Sequence, residues 1–389
     1  MSVDDLQTAE WLRRAETQAI FAALDGTRRR TRAVGGVVRD TIMGQPRANP
    51  DIDLATELTP EEVVASAKAA GIAWYPTGMD HGTVTLKLGD TLAEVTTLRQ
   101  DAETDGRHAK VVFGTGWVQD AERRDFTINA LYCAADGTLY DPLDGLTDAL
   151  EHRVRFIGEA GQRIAEDGLR VYRFFRFSAS HGEYVLDPDG LAACDRAVGR
   201  LHHISAERIG AEMLRMLALP IIAPILGQMA SIGLLDLDGH TLAALKTYEG
   251  IGGHSAVSRL VLLGDLDRLQ ETWRLPNTLV SAAKKIDEAS ALLSREKTGE
   301  AAYRYGDAAV EGLAVAAARE RWGPARLAEL ARGLAALVVP DFPLTGHDLI
   351  GSGVVQGPAL GLELQRLEQL WIDSGFALGK AQLLALIGR

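Results

Sequence analysis

Apolar and polar positions change period several times in the first 150 residues and then settle. Leu6 to Leu24 spaces its apolar residues as one amphipathic helix. A basic stretch (Arg28, Arg29, Arg30, Arg32) leads into a short apolar strand ending at Gly35-Gly36, and Val37 to Met43 predicts a short helix. Asp51 to Thr56 predicts a strand. Thr59-Pro60-Glu61-Glu62 opens a helix, with an N-cap hydroxyl, a proline whose missing N–H costs nothing at that position, and acids near the positive helix end. Gly71 closes it. Thr83 to Leu88 and Thr91 to Leu98 alternate across Gly89-Asp90 and predict a hairpin. The front is therefore built of strands and helices. Beyond about residue 150 the spacing is helical throughout, with breaks near Leu219-Pro220, Gly250 to Gly253 and Lys297 to Glu300. The expected class is α+β: a mixed sheet with helices over 1–150, then helical segments over 151–219, 220–298 and 299–389.

The chain has 389 residues, 47% hydrophobic and 24% charged, enough for several soluble domains. With no long apolar run and no signal-peptide pattern at the N-terminus, a cytoplasmic protein is expected. Cys133 and Cys194 stand alone, without the spacing of a disulfide scaffold or zinc site. The net charge of −12 argues against a protein that coats nucleic acid with its whole surface. Residues 1–150 carry 24 acids against 15 Lys+Arg, so acidity gathers at the front. Such a front suits divalent metal and needs local arginines to hold phosphate; an acidic solubilising surface explains the total equally well.

Asp51 and Asp53, two apart on the predicted strand, project from one face and can share divalent cations. Glu94, on the second hairpin strand, can bring a third carboxylate, although alone it reads as a solvent-facing residue. Gly35-Gly36, between strand and helix, lets backbone N–H groups approach a triphosphate. Each feature is weak alone. Their order (strand, Gly-Gly, helix with Arg39-Asp40, then Asp-x-Asp) carries more.

Five blocks in the same order, AVGGVVRD…DIDLAT, HGTV, EVTTLR, RRDFTINALY and EDGLRVYRFFRF, closely resemble the bacterial-type (class II) tRNA nucleotidyltransferases and their poly(A) polymerase relatives, within the DNA polymerase β-like superfamily. The match spans about residues 30–215, with a weaker echo in LTGHDLIGSGVVQGPALGLEL. The resemblance implies a catalytic head over 1–150, a base-recognising neck over 151–219, a body over 220–298 and a tRNA-binding tail over 299–389. It also implies CCA addition to tRNA 3′ ends from CTP and ATP, with two Mg²⁺ ions. Asp51 and Asp53 match the metal-binding carboxylates and Glu94 the third acid. Arg123, Arg124, Asp125 and Asn129 match the block that contacts ribose and phosphates.

Glu166, Asp167 and Arg170 match the element in which side chains stand in for a template. Read as one helix, Asp167 and Arg170 share a face and offer an acceptor and a donor fork to a base edge, each good contact discriminating by roughly 1–3 kcal/mol. The same pair can equally be a surface salt bridge worth about 0.3–0.5 kcal/mol. Arg173 and Arg176 continue the spacing as a basic ridge facing triphosphate or acceptor end, or solvent. Arg99 to His108 predicts a mobile loop, which in the family helps switch between C and A. Glu207, Arg208 and Glu212 match a structural neck motif. His347-Asp348, lacking companion histidines, reads as a helix start rather than a phosphohydrolase metal site.

The segment before Asp51 is about two residues longer than the family pattern. A poly(A) polymerase, or an enzyme restricted to C or to A, is the nearest alternative. No basic stretch stands after the Gly-Gly block and no long basic C-terminal extension is present, which favours CCA addition. A catalytically silent RNA-binding relative is a different class, opposed by the intact carboxylates. A dinucleotide-binding dehydrogenase is set aside, because GxGxxG and its ribose-binding acid are missing.

Overall fold

The structure, a computed structural model, describes residues 4–101, 111–114 and 116–388. The described chain divides into two compact units, one comprising 4–204 with 232–234 and the other 205–231 with 235–388.

The first unit opens with three short helices rather than the single helix expected: α1 (Asp4–Thr8), α2 (Glu10–Arg13) and α3 (Ala15–Ala23). Ala9 and Arg14 take extended ψ angles of 128° and 135° and break the run. The breaks let Leu6, Trp11, Leu12, Ile20 and Phe21 all face the core. Trp11 Nε1 also donates to Thr41 Oγ1 at 2.9 Å.

Then follow β1 (Thr31–Val34), α4 (Gly36–Ile42), β2 (Ile52–Thr56), α5 (Pro60–Ala69), β3 (Ala73–Gly78), β4 (Thr83–Leu88), β5 (Thr91–Thr97), β6 (Arg99–Asp101), β7 (Val111–Phe113), α6 (Trp117–Glu122), β8 (Tyr132–Cys133) and β9 (Leu139–Tyr140). The Thr59–Glu62 capping box on α5 forms as expected, and so does the β4–β5 hairpin. The seven-stranded sheet runs β3-β4-β5-β2-β1-β8-β9. Its one parallel pair is β2–β5, where Asp53 faces Glu94 in register. Ile52 and Leu54 on β2 and Ala93 and Val95 on β5 are buried, while Asp53 and Glu94 between them are exposed. Alternation thus sends the hydrophobic side of both strands into the core and leaves the two acids side by side on the open face.

Helices α7 (Gly145–Leu150), α8 (Ala160–Glu166), α9 (Leu169–His181) and α10 (Pro188–Ala197) complete this unit. Phe126 meets Phe156 and Phe177 with ring centroids 4.9 and 5.4 Å apart, and Phe156 stacks on Phe174 at 5.4 Å. These rings fix α9 against the Arg123–Asn129 segment. Cys133 and Cys194 are buried, and burial pushes both thiols up to about 12.

The second unit is helical, as the spacing predicts. It holds α11 (Ala206–Leu217), α12 (Ala223–Ser231), α13 (Gly239–Gly250), α14 (Ala256–Leu263), α15 (Leu266–Trp273), α16 (Asn277–Ser294), α17 (Thr298–Tyr305), α18 (Ala308–Glu320), α19 (Pro324–Ala336), α20 (Gly346–Gly351), α21 (Pro358–Asp373) and α22 (Lys380–Leu384). The break at Leu219-Pro220 falls between α11 and α12 and that at Gly250 to Gly253 begins on the last residue of α13, whereas Thr298 to Glu300 of the third lie in the first turn of α17, the chain breaking just before it. Ser205 caps the start of α11 by accepting from Arg208 N, while buried Glu212 holds Arg215 at 2.9 Å in the second half of that helix. Asp348 forms a capping box with Thr345, the helix-start role expected of it. No helix among the described residues is long and apolar enough to cross a membrane.

Candidate active site

The carboxylates stand on the open face of the sheet. Asp53 lies within β2, whereas Asp51 lies one residue before it, so the two do not share a strand as expected. Asn49-Pro50 precedes them, and proline holds the residue before it extended and starts the strand late. Among the described residues, the carboxylates of Asp51, Asp53 and Glu94 have no hydrogen-bond or ion-pair partner. Asp53 reaches solvent but is recessed enough that burial, followed by the Glu94 and Asp51 charges, pushes its carboxyl up to about 6. Arg124 and Arg39 pull the other way and do not offset it.

Three hard oxygen donors whose mutual repulsion is relieved by a cation suit Mg²⁺. No group of three His, Cys, Asp or Glu side chains among the described residues is gathered tightly enough to cage an ion by itself. Mg²⁺ does not require such a cage, since it takes one or two carboxylates and completes its shell with water and substrate phosphates. The donor set therefore fits that ion.

Beside the acids, Gly35 turns the chain from β1 into α4 with φ +71°, a left-handed value that favours glycine. A Cβ there would lie 3.8 Å from Arg124 Nη1, so this guanidinium borders the turn. Its aim is set by Asp120, a residue that the sequence motifs do not single out. Fully buried, Asp120 accepts from Arg124 Nη2 at 3.1 Å, Arg123 Nε at 2.7 Å and the Tyr132 hydroxyl at 2.8 Å. Burial works against the ionised carboxyl, but the charges of Arg124 and Arg123 outweigh it and hold Asp120 below the usual range. The signal available in sequence was an acid three residues before Arg123, at the spacing of a helix-end ion pair.

Other candidates prove to be braces. Arg39 is buried, with Nε and Nη2 donating to Asp40 at 2.8 and 2.6 Å and Nη1 to Asn129 Oδ1 at 2.5 Å. Asp125 is also buried: Oδ1 accepts from Asn129 Nδ2 at 2.9 Å, and Oδ2 accepts from Arg173 Nε at 2.7 Å. Both oxygens of this carboxylate are thus engaged within the protein, which sets Asp125 in a bracing position.

Asp167 and Arg170 do not share a helix. Asp167 is extended (φ −148°, ψ 103°) in the break between α8 and α9, and its Oδ1 accepts from Leu169 N at 3.1 Å. Arg170 sits in the first turn of α9, bonded to Glu166 Oε2 at 2.7 Å, Arg163 O at 2.8 Å and Arg123 O at 3.1 Å. The break is at Asp167 itself, whose extended backbone ends α8 and whose carboxylate caps the start of α9, while Gly168 is already helical and leaves no room for a side chain against Leu201 and Ile204. Both side chains are half-buried at one helix N-terminus, still adjacent but from different elements. Arg173 and Arg176 follow on α9, half-buried, so the basic ridge exists, with Arg173 committed to Asp125. His108 and residues 102–110 of the expected loop lie outside the described residues.

Comparison with known proteins agrees. Residues 31–155 match the Poly A polymerase head domain family. Among curated relatives, the mitochondrial CCA tRNA nucleotidyltransferase 1 of Danio rerio is 32% identical, covering 92% of this chain and 87% of that protein. The CCA-adding enzyme of Lacticaseibacillus paracasei is 32% identical over 86% of each chain. A crystal structure of the Bacillus stearothermophilus CCA-adding enzyme in complex with CTP superposes with a TM-score of 0.77 at 28% identity, covering 93% of this chain and 94% of that one. A Thermotoga maritima CCA-adding enzyme complexed with tRNA shares the fold, with a TM-score of 0.68 at 17% identity. With full-length relatives above 30% identity and the carboxylate, Gly-Gly and arginine elements gathered on one face of the head sheet, this chain belongs to the CCA tRNA nucleotidyltransferase and poly(A) polymerase family.

Proposed function

We propose that the protein is a nucleotidyltransferase that adds CCA to tRNA 3′ ends from CTP and ATP without a nucleic-acid template, releasing pyrophosphate. The observation that carries this reading is the pairing of Asp53 with Glu94 across β2–β5, beside a Gly-Gly turn bordered by Arg124. An acid cluster left unpaired and a phosphate-sized turn next to a fixed guanidinium form the two halves of a phosphoryl-transfer site.

Asp51 and Asp53, with Glu94 beside them, would hold two Mg²⁺ ions, which when bound lower the pKa of an attacking hydroxyl and neutralise charge on the leaving phosphates. Gly35 and Gly36 supply close backbone approach, and Arg124 with Arg123 holds triphosphate oxygens. Asp167 and Arg170 present an acceptor and a donor to the Watson–Crick edge of C or A, and Arg176 extends positive charge along α9. Arg39, Asp125, Asn129 and Arg173 hold these parts in place. The tRNA 3′-hydroxyl then attacks the α-phosphorus, a new P–O bond forms, and the bond to the β-phosphate oxygen breaks. Residues 1–150 act as head, 151–219 as neck, 220–298 as body and 299–389 as tRNA-binding tail.

The test supplies Mg²⁺ and a tRNA transcript ending at its discriminator base, with CTP, ATP or both, and resolves products at single-nucleotide length. Three added nucleotides only when both are present, and none from Asp51→Ala at unchanged melting temperature, is the expected result. A long ladder on ATP alone would reassign the activity to poly(A) synthesis. Extension by Asp51→Ala would remove the metal role of the carboxylates.

A further inference from the structure

Helix α9 carries Arg173, Phe177 and His181 at four-residue spacing, which puts them on one face over two turns, about 12 Å. That face meets a continuous hydrogen-bonded chain. His181 Nε2 lies 3.1 Å from Asp40 Oδ1, the atom that also accepts from Arg39 Nε and Nη2. Arg39 passes to Asn129, Asn129 to Asp125, and Asp125 back to Arg173 on α9. Phe177 fills the ring so formed: the Arg39 and Arg173 guanidinium carbons lie 5.0 and 5.3 Å from its centroid, and the His181 ring 5.5 Å.

The two ends of this face are secured differently. Arg173 ties the first half of α9 to Asp125, while His181 ties the last turn to α4, the helix that starts at Gly36. Asp40, Arg39 and His181 are all nearly buried, so their hydrogen bonds do not compete with water. Burial pushes the imidazole below its ordinary value, with the Arg39 charge adding to it and the hydrogen bond to Asp40 opposing it. Asp40 accepts from Nε2, and Nδ1 lies 2.6 Å from the Ser180 hydroxyl, which donates to the Arg176 carbonyl at 3.0 Å.

We propose that His181 is a positioning residue for nucleotide binding: acting through Asp40 and Arg39, it fixes the angle between the base-facing helix α9 and the Gly35-Gly36 turn. It touches neither nucleotide nor metal ligand. Without it, α9 keeps its anchor at Arg173 but its far end is released from α4. A base held by Asp167 and Arg170 and a triphosphate held at the Gly-Gly turn then no longer sit at one fixed separation. The inference rests on the proposed nucleotide site and adds the part that sets its geometry.

The test compares His181→Leu, which removes the donor, with His181→Gln, whose side-chain amide can again donate to Asp40. Mg²⁺-CTP and Mg²⁺-ATP affinities are measured by equilibrium dialysis without tRNA, alongside KM and kcat for tRNA extension and the melting temperature. For His181→Leu, Kd and KM for both nucleotides are expected to rise about tenfold, as for loss of one hydrogen bond to a charged group. Its kcat should stay within about threefold of wild type, and His181→Gln should recover most of the loss. Unchanged Kd and KM in His181→Leu, with or without a lower melting temperature, would overturn the proposal, as would failure of His181→Gln to recover affinity. Wild-type protein that binds CTP but extends no tRNA would instead refute the assigned function, leaving the dialysis comparison to decide the role of His181.

Discussion

Asp53 shows how a single residue in the proposed metal site carries an electrostatic cost. Its carboxyl sits at about 6 when folded, against an ordinary 3.8. Below the lower value both folded and unfolded chains hold the proton. Between the two only the folded chain does, and above the upper value neither does. Stability associated with Asp53 is therefore present at low pH and lost as pH rises from about 4 to about 6. Raising a carboxyl this far corresponds to about 3 kcal/mol, which solvent access to this exposed side chain reduces to about 1 kcal/mol. In EDTA at pH 7.5, Asp53→Asn should melt roughly 2–4 °C above wild type, with the gain shrinking toward pH 5. Adding Mg²⁺ should narrow the gap by stabilising wild type alone, while nucleotide transfer by the variant is lost. A variant no more stable than wild type in EDTA at pH 7.5 would mean that burial and the neighbouring acids do not penalise the ionised Asp53 as the structure requires.

At the scale of elements, the sequence displayed what alternation and capping control and concealed what long-range contacts control. The hairpin, the capped α5 and the helical second half all follow from local rules. The edge strand β3 was not legible, because Ala-Trp-Tyr-Pro-Thr-Gly shows no alternation and contains a proline tolerated only at a sheet edge. The break at Asp167 was likewise hidden, since the helical spacing runs through it. That break matters for base reading. Arg170 is positioned by Glu166 on the preceding helix, which also binds Arg163 at 2.5 Å, while Arg163 donates to the Arg124 carbonyl. Replacing Glu166 with Gln weakens two charge-assisted bonds on a half-open surface and should leave the fold intact. CTP and ATP preference over UTP and GTP should fall about tenfold, since each bidentate base contact is worth roughly 1–3 kcal/mol. Misincorporation at the wild-type rate would show that Arg170 needs no help from Glu166.

At the scale of the whole molecule, all candidate catalytic and nucleotide-binding residues belong to the first unit, so the second can be weakened without touching them. Arg259 on α14 is its most exacting feature. Fully buried, it donates to the Leu217 and Pro220 carbonyls, each at 2.6 Å, and to Glu249 at 3.0 Å, while Glu249 also accepts from Ile222 N at 2.8 Å. One guanidinium thus closes the C-terminal end of α11 and, through Glu249, the start of α12. None of these three partners lies within a helical turn or two of it in sequence, so no local pattern announced the role. Arg259→Met should cost about 3–5 kcal/mol, because Glu249 is left as a buried charge without its counter-ion. In calorimetry of the full chain, the transition of the second unit should fall by roughly 10 °C. Equilibrium dialysis below that transition should still find wild-type affinity for Mg²⁺-CTP, whereas tRNA extension should fail once the second unit melts. Loss of CTP affinity in the folded variant would show that the nucleotide site depends on both units, and that the division of labour between them does not hold.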